Sequence, residues 1–141
     1  MGISAVILTY NEADSVGGAV DNVSWCDEVL VVDSQSTDGT REIAKNHGAC
    51  IVDAPEVGPD EGFDHFRVLG IEAASNDLIL TLDCDERIPM KLRHRLREIA
   101  NKPTDEIGVV RAPYLNYLGG EPLKGSGQWP GYKAILFDLL Y

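Results

Sequence analysis

The chain has 141 residues, 44% of them hydrophobic, which suits one domain with a core of its own. Its 12 Lys and Arg stand against 23 Asp and Glu, a formal charge of −11 at pH 7. Nucleic-acid binding calls for a basic patch or stripe, so that partner class is set aside; an anionic ligand fits only where local cations or a metal offset the acidic background.

Ile3-Ser4-Ala5-Val6-Ile7-Leu8-Thr9 reads as a first strand, apolar at nearly every position, as expected where both faces of a sheet are covered. From Ala13 to Val23 the spacing of Val16, Ala19, Val20 and Val23 predicts one face of a helix, with Gly17 and Gly18 weighing against it. Glu28 to Val32 is a second strand, rich in β-branched residues and ending at Asp33. Ser34-Gln35-Ser36-Thr37-Asp38-Gly39 is a loop of turn and capping residues. A helix from Thr40 to His47 stops at Gly48. Cys50-Ile51-Val52 is a short strand and Ala54 to Asp60 a loop. Gly62 to Ser75 reads as a helix with Phe66, Leu69 and Ala73 on one face.

Leu78-Ile79-Leu80-Thr81-Leu82 is a buried strand that ends in Asp83, Asp85 and Glu86, three carboxylates within four residues for which packing alone has no use. Pro89 opens a helix that buries Leu92, Leu96 and Ile99. Its other sides carry Lys91, Arg93, Arg95 and Arg97, read as a solvated face, with a peripheral contact to an anionic membrane surface as the sharper alternative. Ile107 to Val110 is a strand, Leu118 to Gly131 a glycine-rich loop, and Lys133 to Phe137 a last strand. Cys26, Cys50 and Cys84 form no C-x-x-C pair and fit reduced thiols in a cytoplasmic protein. The N-terminus shows no secretory leader, and no apolar run is long enough to cross a bilayer.

Strands alternating with helices predict an α/β fold with a mostly parallel central sheet. If the fourth strand returns to the far side of the first, a switch point opens between them, and ligands bind beyond the carboxyl ends of the strands there. Those ends carry Tyr10-Asn11-Glu12, Asp33 and Asp83-Cys84-Asp85 on one rim. Neither a G-x-G-x-x-G turn nor a Walker-type loop follows the first strand, so a phosphate needs another source of positive charge. A divalent cation on Asp83 and Asp85 would supply it through oxygen ligands. Asp33 can accept hydrogen bonds from a base or a ribose, and Tyr10 offers a ring for stacking.

Val6 to Glu12, Val31 to Thr40 and Leu82 to Glu86 together resemble, in order and spacing, the three motifs of family 2 glycosyltransferases. Ser24-Trp25-Cys26-Asp27-Glu28 and Trp129-Pro130-Gly131-Tyr132 are most similar to the lipopolysaccharide-core glucosyltransferase branch. The resemblance implies a GT-A fold, a Rossmann-like three-layer sandwich, with a nucleotide-sugar donor, UDP expected, and a divalent metal, Mg²⁺ or Mn²⁺. It puts Thr9, Tyr10, Glu12, Asp33, Arg67 and Asp83 at the nucleotide-sugar, and Asp83 with Asp85 at the metal. Val68 stands where the family often has an asparagine, and Ile135 and Asp138 where arginines are expected, leaving Lys124 as the candidate for extra positive charge. No catalytic base is assigned, since Glu121 reads as an exposed loop residue.

The stretch 1–141 is taken as one such domain, donor-binding to about residue 102 and acceptor-side beyond it. The implied reaction is metal-assisted transfer of the sugar, with inversion, to a glycan or lipid-linked acceptor in cell-envelope polysaccharide or lipopolysaccharide synthesis. It would take place in the cytoplasm or at the inner face of the membrane, with room for a homo-oligomer. The apolar end Leu139-Leu140-Tyr141 resembles a chain interrupted mid-domain, which gives the alternative of a truncated, non-catalytic nucleotide-sugar-binding module. A D-x-D-x-T phosphatase ranks last because Arg87 replaces the threonine.

Overall fold

The first strand, β1 (Ile3–Thr9), is buried at every position and lies inside the sheet, as its unbroken apolar run requires. The computed structural model describes residues 1–56, 63–102, 108–124 and 130–139. After β1 come α1 (Ala13–Val23), β2 (Glu28–Asp33), α2 (Thr40–Asn46) and β3 (Cys50–Asp53). A 3₁₀ turn (Phe63–Phe66) runs into α3 (Arg67–Ala73), followed by β4 (Leu78–Asp83) and α4 (Met90–Ala100). The remaining elements are β5 (Val109–Tyr114), β6 (Tyr117–Leu118), β7 (Glu121–Pro122) and β8 (Gly131–Asp138).

Among the described residues, six strands form one sheet in the order β3-β2-β1-β4-β8-β5. β2 and β4 flank β1 and β3 flanks β2, all in parallel, while β8 runs antiparallel to both β4 and β5. The chain therefore builds outward from β1 in one direction and returns to its other side with β4. That meets the condition set for a switch point between β1 and β4. β5 and β8, from the segment expected on the acceptor side, extend the same sheet.

Side chains alternate across the sheet with period two, and the two faces bury separate cores. Ile3, Ala5 and Ile7 with Leu78, Leu80 and Leu82 pack against Val16, Val20 and Val23 of α1, Ala44 of α2, and Leu96 and Ala100 of α4. Val6, Leu8, Val32 and Ile79 face the other way, toward Phe66 and Leu69. Helices on both sides of a mostly parallel sheet give the three-layer α/β architecture.

Several expectations change. The helix predicted from Gly62 to Ser75 is a 3₁₀ turn plus a shorter α3, and its start at Gly62 lies outside the described residues. Ala73 is exposed; the inward face carries Phe66, Leu69 and Gly70. The stretch from Leu118 is not all loop. β6 and β7 form a small hairpin whose turn, Gly119-Gly120, has φ of 58° and 84°, the left-handed pair that tight hairpins need. The fifth strand begins at Val109, and Ile107 and Trp129 lie outside the described residues.

Two of the four cations on α4 are partly buried and engaged with a neighbouring element. Arg93 and Arg97 lie 5.8 and 5.5 Å from the Trp25 ring centroid, and Arg97 also pairs with Asp27 at 2.9 Å and donates to the Trp25 carbonyl. They fasten α4 to the α1–β2 junction, leaving Lys91 and Arg95 exposed. No helix among the described residues is long and apolar enough to cross a membrane.

α3 lies so close to the sheet that a Cβ built on Gly70 would fall 2.4 Å from Val6 Cγ1 and 2.7 Å from Val32 Cγ2. Both neighbours are buried branched side chains with little room to move. We expect Gly70→Ala to lower unfolding free energy by about 1–3 kcal/mol. Urea denaturation of the two proteins measures it, and an unchanged midpoint would contradict the close packing described.

Candidate functional site

At the carboxyl ends of β1 and β4 the rim opens into a cleft of about 350 Å³ lined by Leu8, Thr9, Tyr10, Glu12, Asp83, Cys84 and Asp85. Each strand leaves the sheet here, so backbone and side chains turn away from the core toward the crevice. Thr9 is buried and Tyr10 is 41% exposed, its ring at the mouth. Glu12 occupies the N-cap position of α1, yet its carboxylate makes no capping bond, which leaves it facing the cleft. Cys84 is buried between the two aspartates, and burial pushes its thiol up to about 12, so it is a packing residue.

Asp83 is the most tightly held member of the rim. Arg67 Nη2 donates to its Oδ1 at 2.7 Å and Lys133 Nζ to its Oδ2 at 2.6 Å. Lys133 also donates to both Glu86 carboxylate oxygens at 2.9 Å, and Glu86 Oε2 accepts the Asp83 N–H at 2.9 Å. Arg67 reaches Asp83 because odd-numbered positions of β4, such as Ile79, point to the face that α3 covers. Lys133 arrives from the neighbouring strand. The antiparallel pairs end at Leu80↔Leu136, and beyond them the Lys133 side chain of β8 reaches Asp83 at the end of β4. Burial opposes ionisation of Asp83, but the contacts with Lys133 and Arg67 outweigh it and hold the carboxyl below its usual range.

A second network shapes the other wall. The loop from Ser34 to Gly39 is sewn to the β1–α1 turn: Ser36 Oγ accepts the Asn11 N–H, Thr40 Oγ1 accepts that of Glu12, and Asp38 Oδ2 accepts that of Ala13, at 2.8 to 3.0 Å. Asn11 Oδ1 accepts the Thr37 N–H in return. The first amides of α1, which have no partners within the helix, are thus satisfied by a neighbouring loop. Asn11 adopts a left-handed conformation, φ 52°, which an asparagine tolerates better than most residues. The Thr40 hydroxyl and the backbone amides hold Asp38 below its usual range.

Of the expected site residues, Thr9, Tyr10, Glu12, Asp83 and Asp85 meet in the cleft, and Arg67 braces it from behind. Asp33 does not line it. It is fully buried, accepting from Thr9 Oγ1 at 3.2 Å and from the Ser36 amide at 3.0 Å, with Arg41 3.5 Å away. Its place is beneath the rim, where it anchors Thr9 and the Ser34–Gly39 loop. The extra positive charge comes from Lys133, while Lys124, exposed after β7, forms no ion pair among the described residues. Glu121 is exposed, as expected, but in the short strand β7 and not in a loop. Ser36 reads in sequence as a turn and capping residue, Asn11 as part of the rim and Thr40 as the start of a helix; Lys133 carries no local signal.

For the divalent metal, the donor chemistry fits at one of the two expected ligands. Asp85 is exposed in the cleft and has no hydrogen-bond or ion-pair partner among the described residues. Both oxygens of Asp83 already accept from cationic nitrogens, so a metal on Asp83 would share them with Arg67 and Lys133 and meet two positive charges there. No three His, Cys, Asp or Glu side chains gather as a ready-made ligand set among the described residues. A hard cation here would hold Asp85 and take its other oxygens from a ligand and water.

The model of the family described as Glycosyl transferase family 2 matches residues 4–137. A lipopolysaccharide core biosynthesis glycosyltransferase, LpsC, of Rhizobium meliloti (strain 1021) is 30% identical over 127 residues, covering 85% of this chain and 46% of its own. An undecaprenyl-phosphate 4-deoxy-4-formamido-L-arabinose transferase of Serratia proteamaculans (strain 568) is 29% identical, covering 78% and 37%. The glucosyl-3-phosphoglycerate synthase of Mycobacterium tuberculosis, solved with Mn²⁺, UDP and glucosyl-3-phosphoglycerate, superposes with a TM-score of 0.60 at 26% identity, covering 84% of this chain and 45% of that one. The chain spans less than half the length of these proteins.

The ion pairs of Asp83 make a pH prediction. Its carboxyl holds a proton less tightly in the folded chain than in the unfolded one, where aspartate titrates near about 3.9. Its contribution is therefore fully present above that value and is lost as pH falls through the lower folded value. Asp83→Asn should be less stable than the wild type at pH 6, with the gap narrowing toward pH 2. Denaturant midpoints across that range measure it; a gap that is constant with pH would mean the ion pairs contribute nothing.

Proposed function

The chain belongs to glycosyltransferase family 2, and on that premise we propose that its cleft binds a nucleotide-sugar, with a UDP-sugar as donor. The observation that carries this is the convergence of Thr9, Tyr10, Glu12, Asp83 and Asp85 at the switch point between β1 and β4. The Tyr10 ring stacks on the base. Thr9 and Glu12 take polar groups of the nucleoside, and Asp33 positions Thr9 from beneath. Arg67 and Lys133 hold Asp83 ionised as an acceptor for sugar or ribose hydroxyls.

Asp85 is the proposed ligand for Mg²⁺ or Mn²⁺. Neutralising the diphosphate leaving group is the chemistry a bound divalent ion supplies at such a site. The Mn²⁺ and UDP in the M. tuberculosis synthase support this reading. Residues to about 102 form the donor side and those beyond it the acceptor side, with Lys133 crossing over to serve the donor. The lipopolysaccharide-core and undecaprenyl-phosphate relatives support a glycan or lipid-linked acceptor in cell-envelope synthesis.

Calorimetric titration with UDP tests the donor site. We expect binding in Mn²⁺ or Mg²⁺, its loss in chelator, and its loss in Asp85→Ala with metal present. Tyr10→Ala should weaken binding by about tenfold or more, the scale of one aromatic–base stack. Equal UDP affinity with and without chelator would remove the metal from the proposal.

A further inference from the structure

Lys133 lies in β8, 50 residues from Asp83 in sequence, and its ammonium is the point on which three carboxylate oxygens converge. Asp83 Oδ2 is 2.6 Å away and both Glu86 oxygens are 2.9 Å away. Resting on the donor-site reading above, we propose that Lys133 is a positioning residue that holds the place of the divalent cation in the free protein, so that metal enters with the nucleotide diphosphate and not before it.

Three anionic oxygens around one point are the kind of donor set a hard divalent ion takes. Here an ammonium fills it. It takes a lone pair on each of those oxygens and adds a positive charge that repels a second cation beside them. Arg67 places another on the opposite Asp83 oxygen. Burial pulls the Lys133 ammonium toward neutrality, but Asp83 and Glu86 outweigh it and raise its pKa, so the charge stays.

The free cleft thus offers a metal chiefly Asp85. A diphosphate changes that balance. It brings anionic oxygens that ligate the metal and compete for Lys133. The other cations near this rim do not perform the same task. Arg87 is spent on the Cys84, Glu86 and Ser15 carbonyls, and Arg41 on Asp33 and Asp53.

The test uses Mn²⁺ alone as probe, followed by loss of the free-ion electron paramagnetic resonance signal, with wild type, Lys133→Met, Lys133→Gln and Lys133→Arg. Lys133→Gln keeps a hydrogen-bond donor without the charge, which protects the comparison should Lys133→Met fail to fold. Without nucleotide, both neutral variants should bind Mn²⁺ about tenfold more tightly than wild type or more, as expected for removing a unit charge a few ångströms from the ion. Lys133→Arg should match wild type. Addition of UDP should tighten Mn²⁺ binding strongly in wild type and only slightly in the neutral variants. Folded neutral variants that bind Mn²⁺ alone no better than wild type would overturn the proposal. Failure of UDP to bind wild type in Mn²⁺ would instead overturn the donor reading, with the nucleotide-free comparison still deciding the role of Lys133.

Discussion

The ion-pair chain Arg67–Asp83–Lys133–Glu86 is the interaction on which the rim depends. A chain of net charge −11 that gathers acidic side chains at one end of its sheet faces strong self-repulsion there. Two cations, one from each neighbouring element, reduce it at the point of closest approach. The arrangement also ties three parts of the molecule together, since Arg67 belongs to α3, Asp83 ends β4 and Lys133 lies in β8. Charge balance and architecture are thus the same fact at this edge. Asp85, exposed in the cleft, makes no hydrogen bond or ion pair among the described residues.

On the opposite wall the polar network has a different character. Asp33, Asp38, Ser36 and Thr40 spend their oxygens on backbone amides and on one another, and so shape the turn that presents Thr9, Tyr10 and Glu12. Motif residues can therefore shape a turn without lining the cleft. Asp33 shows this most clearly, because a fully buried carboxylate must be satisfied internally. Holding Thr9 and the loop together is what its surroundings permit.

Much of the site was legible in order along the chain. Leu78 to Leu82 followed by three carboxylates announced a strand end with a purpose, and the turn after β1 carried its polar residues within a few positions. The strands themselves were readable because apolar runs with β-branched residues leave few alternatives. Where the reading missed, local pattern was ambiguous. Ala73 shared helical spacing with Phe66 and Leu69, but α3 ends there and the residue turns to solvent. Glycine-rich sequence after Leu118 suited a loop equally well as a two-residue hairpin turn. Arg93 and Arg97 looked solvated because nothing in α4 alone reveals Trp25 on the facing element.

By itself, the sequence determined the α/β class, the strand that runs through the interior of the sheet, the rim on which the chemistry gathers and the motif that opens it. Those follow from periodicity and from residues close together in the chain. Only the tertiary structure decided which carboxylate is free and which is neutralised. That outcome turns on β8 lying antiparallel beside β4 and on an ion pair across 50 residues that no local pattern encodes. Asp83 and Asp85 look alike as letters. Lys133, arriving from a distant strand, makes one an anchored anion and leaves the other open to a ligand.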